Sequence, residues 1–272
     1  MEPGPIAAGR PEPDLNGAPT PGLAEALSWL RHARRILVFT GAGISTESGI
    51  PDFRGPNGVW KTTDPQRYTI DSYISDRSVR VERWRARLEG RFSSAQPNAA
   101  HLAVTRLQRA GLVPVIVTQN IDGLHQKAGT VNVIELHGTS SEAMCLDCRR
   151  RMPIEVALDR VREGDEDPHC ELCGGLLKTA TISFGQALVA ADMDRATEEA
   201  RRCDVCLTVG STLSVWPAAA VPAEAVRHGG RLVIVNDGVT DLDGMASLIL
   251  SGRAGTVMTE LVAALLGGED SR

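Results

Sequence analysis

The chain has 272 residues, which is enough for one large domain or for a large and a small domain together. Its net charge of −5 and its pI near 5.7, with no basic stripe, argue against a nucleic-acid-binding protein. The longest uncharged stretch, residues 206–223, contains two prolines, so we expect no membrane-spanning segment. Six cysteines without a secretory signal are typical of a cytoplasmic protein that uses thiols for metal binding or packing.

Predicted strands and helices alternate along the chain. Residues 1–21 carry six prolines and almost no bulky apolar side chain, which predicts a disordered tail. An amphipathic helix is predicted over Leu23–Arg35. Short apolar runs predict strands at Ile36–Thr40, Val113–Thr118, Val133–Leu136, Val205–Val209 and Leu232–Asn236, with helices at Ala99–Ala110, Asp192–Arg202 and Ala218–His228. The alternation predicts an α/β fold with a Rossmann-like parallel sheet that is covered on both faces.

Four segments directly follow predicted strands: Gly41–Ser45, Gln119–Asp122, Gly210–Thr212 and Asn236–Asp237. Because ligands on parallel sheets bind beyond the carboxyl ends of the strands, we expect these segments to form one crevice. The Gly41-x-Gly43 turn lets the backbone approach a pyrophosphate closely, which indicates a nucleotide site. Thr46 stands where a dinucleotide fingerprint has its third glycine, so the turn alone is weak evidence.

Two segments interrupt the alternation and predict a small second domain. Residues 58–96 are charged and poor in strands, and they predict a helical insertion. Residues 139–179 carry two C-x-x-C pairs separated by 21 residues, which predict a closed, structural zinc site. Its ligands would be Cys145, Cys148, Cys170 and Cys173. Cys203 and Cys206 repeat the spacing at the start of a strand, where core packing is favoured over a metal or redox role.

Polar side chains with catalytic potential follow the second predicted strand. Asn120, Asp122 and His125 bring an amide, a carboxylate and an imidazole to one strand end. An imidazole that titrates near neutrality beside a nucleotide site can act as a general base, so His125 is the predicted base. His137 ends the next strand and leads into the cysteine segment, and it is interpreted as structural.

At these motifs the chain resembles the sirtuin family, in the branch often found in mitochondria and bacteria. The resemblance rests on GAGISTESGIPDFRG at 41–55, TQNIDGLHQKAG at 118–129, ELHG at 135–138, the two cysteine pairs, Phe184-Gly185, GSTL at 210–213 with Val215 and Pro217, and Val235-Asn236. It covers residues 23 to 265 in the expected order. It implies an NAD-dependent protein lysine deacylase with NAD⁺ as co-substrate, one structural Zn²⁺ and acyl-lysine proteins or peptides as substrates. The products would be nicotinamide, O-acyl-ADP-ribose and free lysine.

The resemblance also implies residue roles. His125 would deprotonate a ribose hydroxyl, Asp122 would hold the nicotinamide carboxamide, and Asn120 would bond a ribose hydroxyl or an ordered water. Further NAD contacts would come from Gly41, Ala42, Gly43, Ser45, Asp52, Phe53, Arg54, Gln119, Ile121, Gly210, Ser211, Thr212, Asn236, Asp237 and Ala254. The acyl-lysine tunnel would be lined by Ile182, Phe184 and Val215, and the substrate backbone would add as a strand between the Gly185 and Ser214 segments.

The chain departs from the family pattern near the substrate. Gln186 stands where the family usually has glutamate after Phe-Gly. The family commonly has a proline before the strand that leads to Phe184, and this chain has Lys178-Thr179-Ala180 there instead. Members that prefer acidic acyl groups carry Tyr-x-x-Arg in the helical insertion, where this chain has Trp84-x-x-Arg87. Arg87 could pair with an acyl carboxylate, or the arginines at 83, 85 and 87 could form a solvated helix face.

Three other functions are alternatives to the deacylase. The same fold could transfer ADP-ribose to a protein. A hydride-transferring dehydrogenase is disfavoured by the broken glycine fingerprint. A zinc-ribbon binding module would leave Asn120, Asp122 and His125 unexplained and would need a basic face.

The predicted domain boundaries follow from these segments. Residues 22–57, 97–138 and 180–265 would form the Rossmann-like NAD-binding domain, and residues 58–96 and 139–179 would form the small domain. NAD and substrate would lie in the cleft between the two domains, and residues 266–272 would form a second tail. We expect a monomer that binds neither nucleic acid nor membranes.

Overall fold

A computed structural model describes residues 20–55, 58–90 and 94–267 of the chain. The predicted N-terminal tail up to residue 19, and the predicted C-terminal tail from residue 268, lie outside the described residues. Within the described ranges, no helix is both long and apolar enough to cross a bilayer.

Strands and helices alternate through the described residues. The strands are β1 (Ile36–Thr40), β2 (Ile116–Thr118), β3 (Val133–Glu135), β4 (Gly138–Cys145), β5 (Arg151–Pro153), β6 (Leu177–Thr181), β7 (Val205–Val209), β8 (Arg231–Asn236) and β9 (Leu248–Ser251). The α-helices are α1 (Leu23–His32), α2 (Ile70–Ser75), α3 (Arg77–Leu88), α4 (Ala99–Arg109), α5 (Leu124–Lys127), α6 (Ile154–Arg162), α7 (Ala190–Arg202), α8 (Ala220–Arg227) and α9 (Ala254–Leu266). Short 3₁₀ helices lie at Ala42–Ser48, Val59–Lys61, Pro65–Tyr68 and Asp243–Met245.

Six strands form one parallel sheet in the order β3-β2-β1-β7-β8-β9. Helices α1, α4 and α9 pack against one face, and α7 and α8 cover the other. Because both faces are covered, β1 and β7 are buried at every position. Strand β2, the next strand along the chain, pairs with one edge of β1, and β7 pairs with the other edge. The carboxyl end of β1 is therefore the topological switch point where ligands bind in such folds, and the predicted α/β architecture is confirmed.

Some element boundaries differ from the prediction. Helix α1 ends at His32 because the N–H groups of Arg34 and Arg35 donate to the Asp204 carboxylate, at 2.7 and 2.9 Å, instead of continuing the helix. Strand β2 begins only at Ile116, and Pro114, which has no N–H for a ladder, lies in the lost part of the predicted strand. No element is predicted at β9, which is a four-residue edge strand with a short apolar run, and the 13-residue helix α9 is also missed.

The smaller sheet is antiparallel, with β4 between β5 and β6. Its core takes in Trp84 from α3, which is 1% exposed and packs with side chains of β4, β6 and α6. The Tyr73 hydroxyl donates to the Leu177 carbonyl at 2.7 Å. Arg80 of α3 forms a bidentate ion pair with Asp167, in which Nε lies 2.9 Å from Oδ1 and Nη2 lies 2.9 Å from Oδ2. Both insertions therefore contribute to one packed unit.

Candidate active site

Two glycine loops touch at the carboxyl ends of β1 and β7. The Gly43 N–H donates to the Gly210 carbonyl at 2.7 Å. Gly210 has a φ of +64°, and a Cβ atom there would lie 2.1 Å from the Ile44 nitrogen. A Cβ atom on Gly41 would lie 2.7 Å from that of Ser211. Only glycine permits this approach, so the two loops pack backbone against backbone at the strand ends where nucleotides bind in such folds, and this pair of loops is called the glycine cradle.

A buried polar cluster lies beside the cradle. Ser45 donates to the Asp122 carboxylate at 2.7 Å, and the N–H of Leu124 donates to its other oxygen at 2.9 Å. The Asn120 side-chain amide donates to the Gly41 carbonyl at 3.0 Å and to Ser45 at 3.1 Å. Asn120 and Asp122 are 9% and 8% exposed. The carboxylate keeps lone pairs free for a ligand amide, and the cluster ties the β2 segment to the glycine loop.

The ends of β7 and β8 continue the crevice. The Gln119 side chain donates to the Ser211 hydroxyl at 2.9 Å, and that hydroxyl also accepts the N–H of Leu213 at 3.1 Å. Asn236 donates to the Gly238 carbonyl at 2.8 Å. Thr212, Ser214, Val215 and Asp237 on these loops, and Ala42 and Ile121 on the loops after β1 and β2, are half-buried or exposed. These loops can therefore offer hydroxyl and amide groups to the adenosine half of a dinucleotide.

Ala254 lies at the start of α9, close to the 3₁₀ helix that follows β1. It is 7% exposed, and the N–H of its neighbour Gly255 donates to the Glu47 carboxylate at 2.7 Å. Glu47 therefore satisfies the α9 N-terminus and fastens the glycine loop to that helix.

Aromatic side chains line the segment after the cradle. The Phe53 ring lies 5.1 Å from the Trp60 ring, which in turn lies 5.0 Å from Tyr68 and 5.7 Å from Phe184. Phe53 and Phe184 are 41% and 44% exposed. Asp52 accepts the Gly55 N–H at 2.8 Å and so shapes the turn that presents Phe53 and Arg54, both of which are exposed. This exposed aromatic cluster suits a flat or aliphatic ligand group.

The segment around Phe184, which is predicted to bind the substrate, already forms backbone hydrogen bonds with the segment before α2. The Phe184 N–H donates to the Tyr68 carbonyl at 3.1 Å, and its carbonyl accepts the Ile70 N–H at 2.9 Å. The N–H of Ile182 donates to the His137 carbonyl at 2.8 Å, while Gly185 is exposed. An added substrate strand would therefore pair with residues other than Phe184. Gln186 accepts the N–H of Ser183 at 3.1 Å and closes its own turn.

His125 lies in the protein interior, away from ligand access. It is 2% exposed, its Nε2 atom lies 3.0 Å from the Thr40 hydroxyl, and its Nδ1 atom is buried. Burial, with a smaller effect of His101, lowers the pKa of His125 to about 3. These contacts argue against the predicted role of His125 as the base, because neither ring nitrogen can reach a substrate proton.

His137 has the access that His125 lacks. Its Nδ1 atom lies 2.8 Å from the Gln119 carbonyl and must donate to it, so Nε2 carries the lone pair. Nε2 has no hydrogen bond to any described residue and is not among the buried unpartnered atoms, so solvent reaches it. Burial lowers the pKa of His137, which keeps the ring neutral at pH 7. His137 lies between the Gln119 and Ile182 segments, so the interpretation of this residue as purely structural does not fit its geometry.

The four predicted zinc ligands converge. The sulfur atoms of Cys145, Cys148, Cys170 and Cys173 all lie within 4.8 Å of one another. The closest pairs are 3.5 and 3.7 Å apart. A tetrahedron with Zn–S bonds of about 2.3 Å needs sulfur separations of roughly 3.8 Å, so this donor set fits one structural Zn²⁺ with no open position.

Comparison with known proteins identifies the family. A family model described as Sir2 family matches residues 41–217, which include both glycine loops, the Asn120 cluster and the cysteine set. The chain belongs to the Sir2 family. Its membership agrees with the resemblance to sirtuins that the motifs indicate.

Curated relatives of this Sir2 protein come from archaea and bacteria. An NAD-dependent protein deacetylase of Caldivirga maquilingensis is 44% identical over 239 residues, which are 86% of this chain and 90% of the relative. A protein of the same description from Rhodopseudomonas palustris is 41% identical over 89% of this chain and 96% of its own length. The names of these relatives do not favour the ADP-ribosyltransferase alternative.

Solved structures resemble this Sir2 protein over nearly their full length. A Sir2 histidine-to-alanine variant with a deacetylated p53 peptide and 3′-O-acetyl-ADP-ribose has a TM-score of 0.82, with 36% identity over 89% of this chain and 98% of the other. Sir2Tm bound to a propionylated peptide has a TM-score of 0.80, with 35% identity over 90% of this chain and 98% of the other. The fold and the co-substrate NAD⁺ therefore agree with the motif-based prediction.

Proposed function

We propose that this Sir2 protein is an NAD-dependent protein lysine deacetylase. It transfers the acetyl group of an acetyl-lysine side chain to ADP-ribose, and the products are nicotinamide, O-acetyl-ADP-ribose and free lysine. The observation that carries this proposal is the convergence of the glycine cradle with Asn120 and Asp122 at the switch point, next to His137 and Phe184. Relatives named deacetylases, and structural neighbours with deacetylated peptide and acetyl-ADP-ribose, support it.

Each part of NAD⁺ has a matching set of side chains. The Gly41–Ser45 and Gly210–Thr212 loops would hold the pyrophosphate and the adenosine half, with Asn236, Asp237 and Ala254 beyond them. Asp122 would accept the carboxamide N–H of nicotinamide, and Gln119 would bond a ribose hydroxyl. When bound, NAD⁺ supplies a ribose carbon that becomes electrophilic as nicotinamide leaves. Phe53 would cover that carbon and exclude water, which protects it from hydrolysis.

We assign the general base to His137 rather than His125. With Nδ1 fixed as a donor to the Gln119 carbonyl, Nε2 is free to accept a proton from a ribose hydroxyl that attacks the acyl carbon. The same nitrogen would later return the proton as the lysine amine is released. His125 would act only through the residues that it contacts.

The proposal of acetyl as the acyl group is supported by the relatives named deacetylases. The substrate channel would be lined by Ile182, Phe184 and Val215, which offer apolar surface to the acyl-lysine stem. The predicted pairing of Arg87 with an acidic acyl group loses support, since Trp84 lies in the small-domain core and Arg87 donates to the Ser140 carbonyl. The alternative of a solvated arginine face holds only for Arg85, because the Arg83 guanidinium lies 3.4 Å from the Tyr68 ring centre.

The proposal also covers the oligomeric state and the cellular location of the protein. We propose a monomer that acts on acylated peptides in the cytoplasm without binding nucleic acid, which is supported by the net charge of −5 and by thiols suited to a reducing compartment. The Rossmann-like domain would comprise residues 22–57, 97–138 and 180–265, and the small domain residues 58–96 and 139–179. The contacts of Arg80 and Tyr73 with the cysteine segment support that division.

A product assay tests the proposal. Purified protein would be mixed with NAD⁺ and a matched panel of acetyl-, propionyl- and succinyl-lysine peptides, and the products would be quantified by mass spectrometry. Equal amounts of nicotinamide, free lysine peptide and O-acetyl-ADP-ribose, with acetyl favoured over succinyl, would support it. Consumption of NAD⁺ with attachment of ADP-ribose to protein, and no acyl loss, would overturn it in favour of ADP-ribosyl transfer.

A further inference from the structure

Two buried imidazole nitrogens lack hydrogen-bond partners. Within the described residues only four buried side-chain polar atoms are unpartnered, and two of them are His101 Nε2 and His125 Nδ1. The two rings meet edge to face with their centres 5.1 Å apart. An unsatisfied buried polar atom costs about 1–3 kcal/mol, so two on adjacent rings require a physical explanation.

The surrounding hydrogen bonds fix the tautomer of His125. Thr40 donates its single hydroxyl proton to Thr118 at 2.8 Å, so His125 Nε2 must donate to Thr40 and its Nδ1 is a bare acceptor. His101 Nδ1 accepts the Asn98 N–H at 3.4 Å in one tautomer and donates to the Asn98 side-chain oxygen at 3.1 Å in the other. In either tautomer the unpartnered His101 Nε2 and His125 Nδ1 can both be satisfied by one water, which donates to His125 Nδ1 and either donates to His101 Nε2 or accepts from it.

Hydrogen bonds extend from both histidines back to the same loop. On one side, the Asn98 side chain donates to the Ile44 carbonyl at 2.7 Å. On the other, Thr118 accepts the Asn120 N–H at 3.0 Å, and the Asn120 amide donates to the Gly41 carbonyl at 3.0 Å. The bonds encircle the Gly41–Ser45 loop and are interrupted at one place, between the two imidazoles.

We propose that one buried water bridges His101 Nε2 and His125 Nδ1 and so closes a ring of hydrogen bonds that holds the Gly41–Ser45 loop against Asn120. Both histidines are then positioning residues for the NAD site. The effect on NAD rests on the proposed function, whereas the link between the rings does not. Burial is the main cause that lowers the pKa of His101 to about 4 and that of His125 to about 3, so the rings stay neutral as the link requires.

Nuclear magnetic resonance of the wild-type protein labelled with ¹⁵N-histidine tests the link without any activity. We expect His125 Nδ1 to carry no proton, and ring protons of both histidines to show cross-peaks to one bound water. A protonated His125 Nδ1, or the absence of a bound-water cross-peak at either ring, would overturn the link.

Steady-state kinetics test the positioning role. We expect His101→Gln and His125→Gln each to raise the KM for NAD⁺ about 5- to 10-fold, with kcat changed less than about 3-fold. The double variant should be no worse than either single variant, because both remove the same ring. The matched control is His228→Gln, whose imidazole bonds the Glu224 carbonyl at the surface and should leave KM unchanged.

Additive increases in KM, or folded single variants with the wild-type KM, would overturn the positioning role. If wild-type protein consumes no NAD⁺, the proposed function fails, while the magnetic resonance result still decides whether the two imidazoles are linked.

Discussion

Asp122 is held by donors from two different parts of the chain. The Ser45 hydroxyl comes from the glycine loop, and the Leu124 N–H comes from the turn after β2. Two fixed donors leave the carboxylate few orientations, so its remaining lone pairs can be aimed at one ligand group before that ligand binds. Such preorganisation lowers the entropy lost on binding.

Removal of the Ser45 hydroxyl should therefore weaken NAD binding. We expect Ser45→Ala to raise the KM for NAD⁺ by up to about 10- to 150-fold, since a lost bond to a charged group costs about 1.5–3 kcal/mol. The matched control is Ser75→Ala, which removes an exposed hydroxyl that bonds the Asp71 carbonyl. An unchanged KM in a folded Ser45→Ala protein would contradict the role of this contact.

The pKa of His137 sets the pH dependence of the reaction. Burial lowers that pKa from its ordinary value of 6.5, and a general base works only when it is neutral. As pH rises through the lowered pKa the base loses its proton, so kcat/KM should rise below pH 6.5 and level off near neutrality. The rising limb should disappear in His137→Ala. A limb with a midpoint above 6.5 would contradict the assignment.

At the scale of elements, the cysteine segment organises the smaller sheet. Cys145 ends β4 and packs in the same core as Trp84 of α3 and Leu177 of β6. Four thiolates close to one another repel unless a cation binds them, so zinc binding should stabilise this core directly. Trp84 is fully buried there and reports on its packing.

Loss of zinc should loosen the small domain. We expect Cys145→Ser to lower the zinc content from one equivalent toward zero and to shift the tryptophan emission to longer wavelength. The thermal midpoint should fall as well. Cys206→Ala is the control, since Cys206 is buried in the large core and lies outside the cluster. A chelated protein with native emission and full activity would contradict the structural role of zinc.

The sequence alone predicts strands and helices that have a regular apolar pattern. It does not predict element ends and residue roles that depend on tertiary contacts. Strands β1 and β7 are continuous apolar runs, and their predicted bounds match the structure. The end of α1 depends on Asp204, about 170 residues away, which no local pattern reveals. The roles of His125 and His137 depend on burial: both follow strands in polar surroundings, and only the fold separates them. The contact of His137 with the Gln119 segment could have been inferred from the pairing of β2 with β3, which aligns the two strand ends.

At the scale of the whole molecule, the site lies where the two units meet. The parallel sheet supplies the glycine cradle and the Asn120 cluster, and His137 lies directly between β3 and β4, where the chain passes from one sheet to the other. Phe184 follows β6, where the chain returns, and it pairs with the segment that precedes α2. The groups proposed to bind the cofactor and those proposed to bind the substrate therefore lie close together where the chain passes between the two sheets.

Comparison of His137→Ala with His125→Ala tests whether this site performs deacetylation with His137 as the base. Deacetylation of an acetyl-lysine peptide would be measured at saturating NAD⁺ and peptide, with folding checked for each variant. We predict that His137→Ala lowers kcat about 10²- to 10⁴-fold, whereas His125→Ala changes mainly the KM for NAD⁺. A kcat near wild type in His137→Ala, with the large loss in His125→Ala instead, would show that His125 and not His137 is the base.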